Sequence, residues 1–259
     1  MRVVLSMFML MLGLGAPSAR AVPLVLCYEN APQAPWTMPD GTGLNFELLE
    51  RIQTLTGERF VYAGKPWQRC LEEARAGVID GLIGSADSPA RREFSRPPLR
   101  ADGKPNPEKA MYQDRVNVFL RVGGAAGWDG HALRNPRGVV IAQRGYFVAD
   151  LLRAHGQRVQ DNVKSAEEGL RQLAADSADV AVLQGRVAED LVHGDPRFHG
   201  RITMARMPYV VFPFFLMITH KTYAADPKRI EAIWSAIASA RLDPAYRKLE
   251  AASTPQHED

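Results

Sequence analysis

The chain predicts an α/β protein of two lobes, each a mostly parallel sheet covered by helices, and three observations lead there. Apolar patterns of strand and helix type alternate between residues 24 and 83. A second alternation follows between residues 139 and 184. Two extended apolar segments, near 115–122 and 208–218, read as crossings between the lobes. Strand–helix alternation is the signature of parallel α/β architecture.

Residues 24–27 read as the first strand, and Gly43 to Gly57 frame a helix carrying Phe46, Leu48, Leu49, Ile52 and Leu55. Residues 60–63 form the next strand. Trp67, Cys70, Leu71 and Ala74 recur at i, i+3, i+4 and i+7, the apolar stripe of a helix lying on a sheet, and Gly77 ends it. Val78, Ile79, Leu82 and Ile83 then make a short buried strand. Ser88-Pro89 supplies an N-cap and first helical residue. This puts Arg91 in a first helical turn just beyond the carboxyl end of a strand, where open α/β sheets bind ligands. Residues 95–109, rich in Pro, Arg and Gly, read as a surface loop.

In the second half, residues 139–142 form a strand and 147–155 a helix, and Ser165 with Glu168 spells a capping box opening a helix to 174. Leu71 precedes Asp80 by nine positions, as Leu170 precedes Asp179, so the helix-to-strand turn is echoed. Residues 227–240 form a helix with Ile230, Ile233, Trp234 and Ile237 on one face, and the polar tail after Leu249 reads as frayed. The expected division is residues 22–117 plus 215–259 as lobe 1 and 118–214 as lobe 2.

Residues 1–21 read as a cleavable signal peptide. Arg2 gives the basic start, residues 3–14 the apolar run, and Ala19-Arg20-Ala21 the cleavage site, with the cut after Ala21. The apolar run is too short to span a membrane. The expected mature chain is therefore exported and soluble, with 30 basic against 29 acidic groups. That balance gives no footprint for nucleic acid or an anionic membrane. Cys27 and Cys70, on a strand and the core face of the helix beside it, are two buried thiols or a disulfide, which an exported compartment permits. Six scattered histidines show no metal-binding spacing, and no phosphate loop, nucleophile elbow or dinucleotide fingerprint occurs. No metal or cofactor is expected.

The order of these pieces resembles the periplasmic solute-binding proteins of family 3, the polar amino acid type. The matching segments are residues 43–49, 67–80, Ser88-Pro89-Ala90-Arg91, 138–145 and 179–184. The resemblance implies the two-lobed type II periplasmic binding fold and a small polar, carboxylate-bearing solute held between the lobes. It also implies a periplasmic location, an ABC permease as partner, and a monomer. Arg91, with Arg92 as the alternative, matches the arginine that grips a ligand carboxylate, a task suited to its bidentate fork. Ser85 and Asp87 would face the same cleft or cap the turn. Trp36 matches an aromatic over the ligand, and Gln143 and Tyr146 flank the second-lobe turn where backbone N–H groups receive an anion.

Gln184 stands where amino acid binders of that family commonly carry an Asp for the ligand ammonium. A neutral amide cannot neutralise a buried ammonium, so Glu29 or Asp87 supplies the charge or the solute is not a zwitterion. Catalysis is the minority reading: cyclohexadienyl dehydratases share this fold, and Glu29 would be the general acid or base. A ligand-presenting partner of a membrane sensor is the third.

Overall fold

The computed structural model describes residues 22–135 and 138–253. The signal-peptide reading lies outside the described residues. The first half runs β1 (Leu24–Glu29), α1 (Leu44–Thr56), β2 (Phe60–Lys65), α2 (Trp67–Arg75), β3 (Gly81–Ala86), α3 (Pro89–Arg92) and the short β4 (Ser95–Arg96). There follow β5 (Tyr112–Arg121), the pair β6 (Gly127–Trp128) and β7 (Leu133–Arg134), β8 (Val139–Gln143), α4 (Phe147–Ala154) and β9 (Arg158–Val163). The rest comprises α5 (Ala166–Ala174), β10 (Val180–Gln184), α6 (Arg186–Gly194), β11 (Ile202–Met204), β12 (Val210–Thr219), α7 (His220–Ala225), α8 (Pro227–Leu242) and α9 (Pro244–Ser253).

The main sheet runs β2-β1-β3-β12-β5-β10-β8-β9. Its two flanks repeat one topology. In the first, β1 lies between parallel β2 and β3, and antiparallel β12 follows β3. In the second, β8 lies between parallel β9 and β10, and antiparallel β5 follows β10. The echo at Asp80 and Asp179 is this repeat. Asp80 Oδ2 accepts from the Val25 N–H at 2.8 Å, and Asp179 Oδ1 meets Arg121 Nη2 at 3.0 Å, each tying the helix-to-strand turn to a neighbouring strand. The long β5 and β12 join the flanks, pairing with each other from Tyr112↔Phe214 to Val116↔Val210. β5 then continues onto β10, and β12 onto β3.

Apolar faces follow the sequence pattern. Leu48, Leu49 and Ile52 of α1 pack with Ile233, Trp234 and Ile237 of α8 on one face of the first flank. Leu170 and Leu173 of α5 and Ala188 of α6 cover the second flank over Ile141 and Leu183. Gly43, at φ 111°, begins α1 where a Cβ would sit 2.7 Å from the Trp36 carbonyl oxygen, so the close approach requires glycine.

Three local expectations change. The strand after α2 begins at Gly81, not Val78: Val78 is 65% exposed in the turn, because Asp80 uses its backbone and side chain to hold the turn against β1. The tail after Leu249 remains helical to Ser253, anchored by the fully buried Tyr246. At α5, Ser165 Oγ accepts from the Glu168 N–H at 3.2 Å, but Glu168 reaches back to the Lys164 N–H at 2.8 Å, one residue beyond the N-cap.

Cys27 and Cys70 form a disulfide, with Cα atoms 5.6 Å apart and 43 positions between them in sequence. It fixes α2 onto β1. In the chain-entropy picture, closing a loop of that length stabilises the fold by about 4 kcal/mol.

Candidate functional site

Both flanks change winding direction beside a central strand, β1 in one and β8 in the other, and their carboxyl ends face a common pocket. Such switch points are where parallel sheets leave room for ligands. The pocket is lined by Glu29 at the end of β1, Gly84 and Ala86 of β3, Arg91 of α3 and Trp67 of α2. From the other side come Tyr146, Phe147 and Gln184, with Gln33 and Phe214 at its edges.

Arg91 is buried, 6% exposed, because Ser88 caps α3 and the turn carries its third residue inward while Pro89 and Ala90 stay exposed: Ser88 Oγ accepts from the Arg91 N–H at 3.3 Å. Its guanidinium donates from Nη1 to the Ala86 carbonyl at 2.8 Å and Ser85 Oγ at 3.3 Å, and from Nη2 to the Gly145 carbonyl at 3.2 Å. It also lies over the Trp67 ring, 5.4 Å from the centroid. Among the described residues, no carboxylate reaches ion-pair distance of it. Burial pulls its pKa down to about 10, so it stays charged at neutral pH. A buried cation held only by neutral acceptors favours an anion beside it.

Arg92 is disposed differently. It forks onto Asp87, Nε to Oδ1 at 2.7 Å and Nη2 to Oδ2 at 2.9 Å, with both side chains partly exposed. Asp87 is therefore engaged by Arg92 and does not line the pocket. Arg91, not Arg92, reaches the pocket.

Glu29 is 6% exposed. Oε1 accepts from the Ala31 N–H at 3.0 Å and Oε2 from the Trp67 N–H at 3.2 Å. Burial raises its carboxyl above the usual range, and these bonds, with the Tyr146 hydroxyl facing it, partly offset the rise. Tyr146 is itself buried, and its hydroxyl accepts a hydrogen bond from Gln33 Nε2.

The remaining predicted residues lie behind the wall. Ser85, fully buried, positions Arg91. Gln143 closes the gap between β8 and β10, its Oε1 accepting from the Gln184 N–H at 3.2 Å. Trp36 stacks on Tyr112 at 4.2 Å, and Tyr112 on Phe214 at 5.0 Å, so Trp36 supports the wall through two rings.

Sequence reading overlooked Gln33, Asp114 and the wall residues Trp67, Phe147 and Phe214. Asp114 lies on β5 beside Gln184, its Oδ2 accepting from Gln184 Nε2 at 3.4 Å and its Oδ1 from the Arg115 N–H at 2.9 Å. Burial raises its carboxyl to about 7, and the Trp36 indole moderates that rise. The proline-flanked Gln33 was a local signal for a loop position, but Asp114 sits 70 residues from Gln184 and carried none.

Among the described residues no cluster of His, Cys, Asp and Glu could hold a metal ion, and no helix is long and apolar enough to cross a membrane.

No protein-family profile matches the chain. No curated protein matches it in sequence. Solved structures do match. A histidine kinase sensor domain with similarity to periplasmic binding proteins aligns at a TM-score of 0.72 and 16% identity, covering 91% of this chain and 97% of that one. The ligand-binding core of GluR0 from Nostoc punctiforme, in complex with L-glutamate, aligns at 0.68 and 16%, covering 90% and 100%. The putative binding component of an ABC transporter from Wolinella succinogenes, complexed with lysine, aligns at 0.68 and 12%, covering 91% and 97%. The repeated flanks, the two crossing strands and these alignments together identify the architecture as the two-lobed periplasmic binding protein fold.

Proposed function

We propose that this chain is a periplasmic solute-binding protein that captures a small carboxylate-bearing polar solute between its lobes and presents it to an ABC importer. The carrying observation is Arg91: a buried guanidinium with no carboxylate partner among the described residues, opening onto the pocket between the two flanks. In this reading Arg91 takes the carboxylate, Ser85 holds Arg91, and Glu29 and Gln184 receive the polar far end of the solute. Lobe 1 comprises residues 22–117 plus 215–259 and lobe 2 residues 118–214, with β5 and β12 as the hinge. Residues 1–21 direct export, and the mature chain acts as a monomer. The solved structures it resembles are ligand-binding and sensor domains, which supports a binder over an enzyme.

The test is a thermal-shift screen over amino acids, organic acids and amines, since a solute bound only to the folded state raises the melting temperature by mass action. Hits should share a carboxylate, and Arg91→Gln should abolish their shift while retaining a cooperative transition. A full shift in Arg91→Gln, or hits confined to amines, overturns the assignment.

A further inference from the structure

Tyr146 stands in the middle of the proposed site. It follows Gly145, whose φ of 75° and near approach to α2 bring the turn against the first flank: a Cβ on Gly145 would meet Gln68 Oε1 at 2.9 Å. The phenol thus projects between Glu29, Gln33 and Arg91, and the cavity left beside it measures about 20 Å3. That holds about one water molecule, whereas small-molecule pockets run to roughly 300 Å3 and above. In this conformation the phenol leaves too little room in this pocket for a solute.

The two consecutive residues also perform what a solute would. The Gly145 carbonyl takes a donor of Arg91 at 3.2 Å, while the Tyr146 hydroxyl takes the Gln33 amide and faces Glu29. One segment of the second flank therefore satisfies both polar ends of a pocket whose walls belong largely to the first. Tyr146 is the extended N-cap residue of α4, at φ −79° and ψ 137°, so its side chain can change rotamer without breaking a helical turn.

Building on the solute-binding reading, we propose that Tyr146 is a built-in occupant of the solute position, bridging the lobes through Gln33, and that a solute binds by displacing it. This narrows the solute class. The incoming molecule must offer an acceptor, best a carboxylate, to Arg91 and a hydroxyl or ammonium donor to Glu29, within the bulk that a phenol vacates. Affinity is reduced by the fraction of molecules in which Tyr146 fills the site, so removing the ring should strengthen binding.

The experiment has two arms on the mature chain. Small-angle scattering without added solute should show a larger radius of gyration for Gln33→Ala and Tyr146→Ser than for the wild type, because the bridge is lost. Calorimetry with L-glutamate, L-lysine and L-serine should show about tenfold tighter binding of at least one probe by Tyr146→Ser, with Tyr146→Phe in between. Weaker binding by Tyr146→Ser makes the ring a solute contact and overturns displacement. An unchanged radius of gyration in both variants overturns the bridge. If neither wild type nor variant binds any probe, competition falls with the solute reading, while the scattering arm still judges the bridge.

Discussion

Arg92 closes a two-point ion pair with Asp87, at 2.7 and 2.9 Å, while the preceding Arg91 turns inward with no carboxylate at ion-pair distance among the described residues. Adjacent residues of one type thus have different tasks, because α3 is a four-residue turn whose cap points one guanidinium into the protein and leaves the next at the surface. Removing the exposed pair should matter little. Arg92→Ala is expected to cost at most about 1 kcal/mol in urea denaturation and to leave solute affinity within twofold. Arg91→Lys should keep the charge but lose the fork, weakening solute binding about tenfold or more by calorimetry. The reverse ranking would transfer the anchor to Arg92.

The disulfide between Cys27 and Cys70 should appear in the balance between oxidised and reduced protein. Urea unfolding with and without reductant, or with both cysteines changed to Ala, is expected to differ by about 4 kcal/mol. Coincident midpoints would contradict a bridge in the folded chain.

Gly145 and Gly57 both adopt left-handed backbone angles, at φ 75° and 72°. A Cβ at Gly57, beyond the end of α1, meets nothing within 4 Å, whereas one at Gly145 meets Gln68. Gly57→Ala should therefore cost about 1 kcal/mol for backbone strain alone. Gly145→Ala should cost a similar amount in the same denaturation assay, because the Gln68 amide oxygen it meets ends a flexible, exposed side chain that swings aside. A cost several-fold larger at Gly145 would show that Gln68 is held in place.

Asp114 has a folded-state pKa of about 7, raised by burial from the 3.8 expected of the unfolded chain, and Glu29 is raised in the same direction. The folded state holds both protons more tightly; for Asp114 the associated stability is full below about pH 4 and declines as pH climbs through 7. The Asp114 contribution amounts to roughly 2 to 4 kcal/mol. Asp114→Asn should flatten the fall in stability between pH 5 and 8 and should be the more stable protein at pH 8. A wild-type slope in the variant would place the titration elsewhere.

Periodicity and caps made most elements readable because they are local: the stripe from Trp67 to Ala74, the Ser88 cap and the spacing shared by Asp80 and Asp179 each depend on a few neighbouring residues. The edges of that legibility are equally physical. Val78 and Ile79 are as apolar as any strand, yet the Asp80 turn keeps them out of β3, a decision made by a hydrogen bond to β1.

By itself, then, the sequence determined the alternating α/β plan, the crossing segments and an arginine, Arg91 or Arg92, in the first turn beyond a strand's carboxyl end. Tertiary structure alone decided that Cys27 meets Cys70, that Asp114 lies against Gln184, and that Tyr146 reaches Gln33 across 113 positions. Helix and strand patterns arise from neighbours in the chain. The contents of a pocket arise where separate strands end together, and only the paired register of β5 and β12 brings those ends into one place.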